Sequence, residues 1–151
     1  MNPKKPRTPC LACGKEPKRP MYKYCSNKCQ GEYQYVVFIQ KWKEGKEVGL
    51  STMGVVKDPI KSYLRQKFSN KCCLCEWSEV NPQTGIVPLI ADHIDGRWQN
   101  NQEDNLRLLC PNCDALTPTF GNLNRGKGRA NRPKSKRAAD ARAIVFNYQK
   151  T

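Results

Sequence analysis

The sequence predicts a small α+β protein stabilised by zinc. Three observations carry this. Nine cysteines in 151 residues fall into two sets, one before residue 30 and one after residue 71. Two apolar stripes at helical spacing lie between the sets. Within the second set, two short apolar runs (86–94 and 106–109) bracket a polar loop and read as strands. A chain of 17.3 kDa suits one ordinary domain or two small ones, without a large core.

The first set, Cys10, Cys13, Cys25 and Cys29, pairs a C-x2-C with a C-x3-C across eleven residues. Each pair can clasp Zn²⁺, and four thiolates complete a tetrahedral shell. A segment of about thirty residues cannot build a sufficient core unaided, so the metal supplies much of its fold. A helix is predicted over 27–44, with Tyr35, Phe38, Ile39 and Trp42 on one face, Ser26 as N-cap and Gly45 as stop. Residues 45–57 hold three glycines without periodicity and read as a linker. Asp58 then caps a second helix with Pro59 at its first position and Ile60, Tyr63, Leu64 and Phe68 on its face. Both stripes read as packing surfaces.

Cys72, Cys75, Cys110 and Cys113 repeat the four-cysteine logic and tie the segment before the first strand to the segment after the second. The first strand, 86–94, is interrupted by Pro88; the second is 106–109; Pro111 starts a short helix running into Ala115 and Leu116. Cys73 is left over and is expected to be a small buried hydrophobe, although a Cys73-x-Cys75 pairing is a poorer alternative. Neither set leaves a coordination position open, so both zinc ions are structural. Beyond Arg125 the chain is rich in Gly, Lys and Arg, then helix-like over 135–148 with Ile144, Val145 and Tyr148 on one side.

The formal charge of +14 is uneven. Residues 1–31 carry a net +7, residues 125–151 a net +8, and residues 32–124 a net −1. Two readings stand: solvated basic tails, or two anchors for a polyanion whose phosphates release counterions on binding. No run approaches the length of a membrane span, and the N-terminus lacks the apolar core of a secretory signal, so an intracellular, soluble protein is expected. Paired cysteines in such a compartment read as metal ligands rather than disulfides.

The single histidine, His93, follows Asp92 at the end of the first strand, and Asp114 follows Cys113. If the second zinc clasp draws the last helix to that strand, Asp92, His93 and Asp114 face one cleft. One imidazole beside two carboxylates suits phosphodiester hydrolysis, with a hard divalent cation on the carboxylates and the imidazole as base. A histidine bonded structurally to a neighbouring carboxylate is the alternative.

The order Cys-x2-Cys, Asp-His, Asn, Cys-x2-Cys resembles the HNH endonuclease family. The run CLCEWSEVNPQTGIVPLIADHIDGRWQNNQEDNLRLLCPNCDALTPTFG (73–121) is similar to its phage and homing-type branch, and CLACGKEPKRPMYKYCSNKCQGEYQY (10–35) to the N-terminal zinc module such proteins often carry. The resemblance implies a ββα-metal, treble-clef-like core. It divides the chain into a zinc module and helix (1–45), a linker and helix (46–70), a nuclease domain (71–122) and a basic DNA-binding segment (123–151). It implies His93 as general base, Asp92 as metal ligand, and Asn105 as the asparagine that fixes the inter-strand loop. Asp114 departs from the family by standing where a second histidine is usual; it can still ligate Mg²⁺ or Mn²⁺ beside Asp92. The implied activity is hydrolysis of double-stranded DNA to 5′-phosphate and 3′-hydroxyl ends. A monomer nicks; a double cut takes a dimer or two events. Arg97, Arg125, Lys127, Arg129, Arg132, Lys134, Lys136 and Arg137 are the expected nucleic-acid contacts. If Asp114 instead marks lost catalysis, the same chain is a zinc-dependent DNA- or RNA-binding protein.

Overall fold

The computed structural model describes residues 6–52 and 54–124. Their principal elements are α1 (Asn27–Lys43), α2 (Asp58–Lys67), β1 (Ile90–His93), β2 (Leu106–Leu109) and α3 (Pro111–Ala115). No helix among the described residues is long and apolar enough to cross a membrane.

The Ser26 side chain starts α1 by accepting the Cys29 backbone N–H at 3.2 Å. Gly45 ends it with a φ of 71°, in the left-handed region that glycine enters without steric cost. The N–H groups of Gly45 and Lys46 return to the carbonyls of Trp42 and Lys41, satisfying the last turn. The start of α2 corrects the expected cap. Lys57 is the N-cap residue and offers no side-chain bond, while Asp58 is already helical. Proline is tolerated here because the first N–H groups of a helix have no partner within it. Asp58 instead pairs with Lys61 at 2.9 Å and places negative charge at the positive end of the helix dipole.

β1 is shorter than the strand expected over 86–94. Pro88 has no N–H for a ladder, Ile86 bridges back to Asn81, and pairing with β2 begins at Ile90. The two strands run antiparallel, with Ile90 opposite Leu109, Asp92 opposite Arg107 and His93 opposite Leu106. β2 and α3 stand where the sequence predicts them. The helix expected over 135–148 lies outside the described residues.

Ile39 and Trp42 of α1, Ile60 and Leu64 of α2, Leu106 and Leu108 of β2, and Val56 form one buried cluster. Tyr35, Phe38, Tyr63 and Phe68 pack against it, so both apolar stripes are core faces. Alternation along β2 sends Leu109 to the other side, where it joins Cys72 and Cys110 under Trp77.

Residues 45–57 do more than connect the helices. Leu50 bridges Val56, and Gly49 is buried. A Cβ on Gly49 would stand 2.7 Å from the Asn101 Cβ, 2.9 Å from Ile60 Cδ1 and 3.1 Å from Trp42 Nε1. Glycine is used here for close approach. Glu103 accepts from the Tyr63 hydroxyl, from Lys67 at 2.9 Å and from Lys43 at 3.3 Å. Burial pushes its carboxyl up, but those three donors outweigh burial and bring it down to about 2.

Two outcomes follow from these contacts. Gly49→Ala is expected to lower stability by about 1–3 kcal/mol through overpacking, measured by denaturant unfolding. Because Glu103 is more acidic in the folded chain, its contribution is present above the ordinary glutamate pKa and fades as pH falls from about 5 towards 2. Thermal unfolding across that range is expected to show a shallower acid-side decline for Glu103→Gln than for the wild type.

Candidate metal centres and active-site cleft

Cys10, Cys13, Cys25 and Cys29 bring their sulfurs within 4.8 Å of one another, as do Cys72, Cys75, Cys110 and Cys113. The individual Sγ–Sγ separations are 3.5 Å for Cys13–Cys25, 3.4 Å for Cys25–Cys29, 3.7 Å for Cys13–Cys29 and 3.7 Å for Cys75–Cys110. A tetrahedral zinc with Zn–S bonds of about 2.3 Å sets its ligands about 3.8 Å apart. Both groups can therefore hold zinc, and all nine cysteines are free of disulfides.

The first C-x2-C pair of each group, Cys10/Cys13 and Cys72/Cys75, folds into the same turn. Cys10 N–H donates to the Lys15 carbonyl and Gly14 N–H to the Cys10 carbonyl; Cys72 N–H donates to Trp77 and Glu76 N–H to Cys72 in the same register. The residue after the second cysteine is left-handed in both, Gly14 at φ 72° and Glu76 at φ 59°. Burial pushes Cys10 and Cys72 up, yet backbone N–H groups aimed at each sulfur outweigh it and bring both down to about 6. Hydrogen bonds with Cys29 and Cys13 push Cys25 up to about 12, and bonds with Cys75 and Cys110 push Cys113 up likewise. A dication offsets this crowding by stabilising every thiolate at once. Cys73 corrects an expectation: it is exposed, and stands outside the four-sulfur group. The fold uses its backbone, whose N–H donates to the Leu108 carbonyl at 2.9 Å.

Asp92, His93 and Asp114 line one cleft of about 130 Å³, together with Gly96, Trp98 and Thr119. Asp92 and His93 arrive at the end of β1, and Asp114 arrives in the first turn of α3, one residue beyond the clasp. Arg107, directly across the ladder, donates from Nε to Asp92 Oδ2 at 2.7 Å. Asp114 is pushed up by burial first and by the Asp92 charge second, with Arg107 opposing. Two neighbouring carboxylates in one cleft form a donor set suited to a hard divalent cation.

His93 Nε2 lies 3.0 Å from Asn101 Oδ1. The loop between the strands is closed from inside. Asn105 donates to Asp95 Oδ1 at 2.9 Å and to the Asn100 carbonyl at 2.8 Å, and accepts the Asp95 N–H at 3.1 Å. Burial pushes Asp95 up, but the Asn100 amide, the Arg97 N–H and the Asn105 amide hold it at about 2. Asn105 is buried and is not among the residues lining the cleft. Arg97 is exposed on the outer side of the loop, its N–H on Asp95 Oδ1 at 2.8 Å. Arg125, Lys127, Arg129, Arg132, Lys134, Lys136 and Arg137 lie outside the described residues.

Sequence reasoning missed Asn101, Asp95 and Thr119. Asp95 opens the polar loop that the sequence places over 95–104, but the bonds by which it closes that loop reach Asn105, ten residues on. Asn101 has no local signature, because its partners His93 and Trp42 are 8 and 59 residues away.

No protein-family model matches the chain, and no solved structure matches it. Among curated proteins, the H-N-H endonuclease F-TflIV of Escherichia phage T5 is 43% identical over 79 residues, covering 46% of this chain. The aligned part spans about a third of that relative's length, 33%. This match supports the HNH endonuclease family for the chain.

Proposed function

We propose that the chain is a divalent-metal-dependent, homing-type HNH endonuclease that hydrolyses double-stranded DNA. The observation that supports this most is the cleft that gathers Asp92, His93 and Asp114 beside a four-sulfur clasp. His93 takes the proton from the attacking water, a task suited to an imidazole near neutral pH. Asp92 and Asp114 would hold Mg²⁺ or Mn²⁺, and Arg107 keeps the Asp92 carboxylate in place. When bound there, a hard cation stabilises charge on the phosphate and on the leaving 3′ oxygen. Asn105, with Asp95, closes the loop that carries the cleft wall and leaves substrate contact to others.

In this reading residues 1–45 and 123–151 are basic arms on either side of a nuclease domain at 71–122, and residues 46–70 join them. The arms and Arg97 grip phosphate without reading sequence. One cleft cuts one strand, so a monomer nicks. The protein acts inside the cell, or in the host cytoplasm if it is phage-encoded.

One observation favours a second reading, a zinc-dependent DNA- or RNA-binding protein with weakened catalysis. Arg107 already neutralises part of Asp92 in a largely buried pair, with side chains 20% and 13% exposed. That reading gives salt-sensitive binding without cleavage.

A supercoiled-plasmid assay with Mg²⁺ or Mn²⁺ separates the two. Wild type is expected to convert plasmid to the nicked form, and His93→Ala to lose at least about 100-fold in rate. Equal rates in the two proteins would overturn His93 as base, and binding with no cutting under either metal would establish the second reading.

A further inference from the structure

We infer that Asn101 is the positioning residue for His93: its side-chain oxygen fixes the ring in the tautomer that carries the proton on Nε2 and leaves Nδ1 to accept one. The inference rests on His93 acting as the base. Its direction follows from counting hydrogens. The Asn101 amide nitrogen donates to the Trp98 carbonyl and to the Gln99 carbonyl, both at 3.0 Å. Both of its hydrogens are then used, which assigns the amide oxygen to the face 3.0 Å from His93 Nε2. A carbonyl oxygen only accepts, so Nε2 must donate. A neutral imidazole has one N–H, and Nδ1 is left with its lone pair free.

Asn101 is itself held from behind. Its own backbone carbonyl accepts the Trp42 indole N–H at 2.7 Å, and its Cβ presses on Gly49 where no other residue fits. It is 7% exposed, so water competes little for these bonds. A chain of contacts therefore runs from α1 through Trp42 and Asn101 to the base. For histidines that ligate metals, losing the partner that holds ring orientation typically costs ~10- to 100-fold in affinity or activity, and the same scale applies to a ring held for base catalysis.

His93 is the only histidine in the chain, so ¹⁵N-histidine labelling gives a single pair of ring signals. In the wild-type, zinc-loaded protein at a pH where the ring is neutral, Nε2 is expected to be protonated, with a slowly exchanging proton, and Nδ1 to be unprotonated. In Asn101→Leu that proton is expected to be lost to exchange and the two nitrogen shifts to move together. Its kcat is expected to fall ~10- to 100-fold with KM changed by less than about twofold. A wild-type ring protonated on Nδ1 overturns the inference without any variant. So does an Asn101→Leu protein that keeps its zinc and shows unchanged ring signals. The ring signals are read without substrate, so this failure is separate from that of the nuclease reading, which is marked by equal cutting in His93→Ala.

Discussion

Four sulfurs converging from two places in the chain set the distance between β1 and α3. Cys72 and Cys75 precede the first strand, and Cys110 and Cys113 bracket the start of the last helix. The tie reinforces the ladder and the packing of Leu106 and Leu108 on the helices, because a two-stranded sheet with strands of four residues is marginal alone. The clasp also has a side to itself. Leu109, Cys72 and Cys110 form a small cluster behind β2, separate from the larger one built by the helices. The consequence of the clasp is geometric: Asp114 is carried to the end of the strand that bears Asp92 and His93.

Charge is arranged around this cleft with little redundancy. Asp92 is balanced by Arg107 across the ladder, while Asp114 is half-buried near Asp92 with no ion pair of its own among the described residues. Removing one partner of a largely buried pair leaves the other uncompensated, which is costly. Asp95, in the surrounding loop, is met chiefly by the Asn100 and Asn105 amides and the Arg97 N–H, with the Arg97 charge adding less. Its carboxylate therefore stays ionised and keeps the loop closed without drawing basic side chains away from the surface.

Much of the frame was legible because it is local. Ser26 and Gly45 mark the ends of α1 through bonds within one turn, and the stripes of α1 and α2 follow from a period of about 3.6 residues. β2, α3 and both four-cysteine groups stood in the residue order itself. The cleft's three titratable residues were legible only through the clasp, which turns sequence spacing into proximity. What escaped was long-range. Gly49 looks like linker glycine until Trp42, Ile60 and Asn101 are seen around it. Asn101 is one amide in a polar run until its bonds to His93 and Trp42 are traced. Sequence pattern makes Pro88 an interruption within a strand, whereas in the fold pairing starts only at Ile90, past the residue that lacks an N–H. Residue type makes Cys73 a buried hydrophobe, while in the fold it is exposed and its backbone N–H meets the Leu108 carbonyl.

The central claim is that two four-sulfur zinc centres hold this short chain in shape, and X-ray absorption at the zinc edge tests it most directly. The purified protein is expected to contain about two zinc ions per chain, each with a shell of four sulfurs at about 2.3 Å and no nitrogen or oxygen ligands. Chelation should remove that shell together with the tertiary fold. A protein that stays folded with no zinc, or a shell in which nitrogen or oxygen replaces sulfur, would contradict the account.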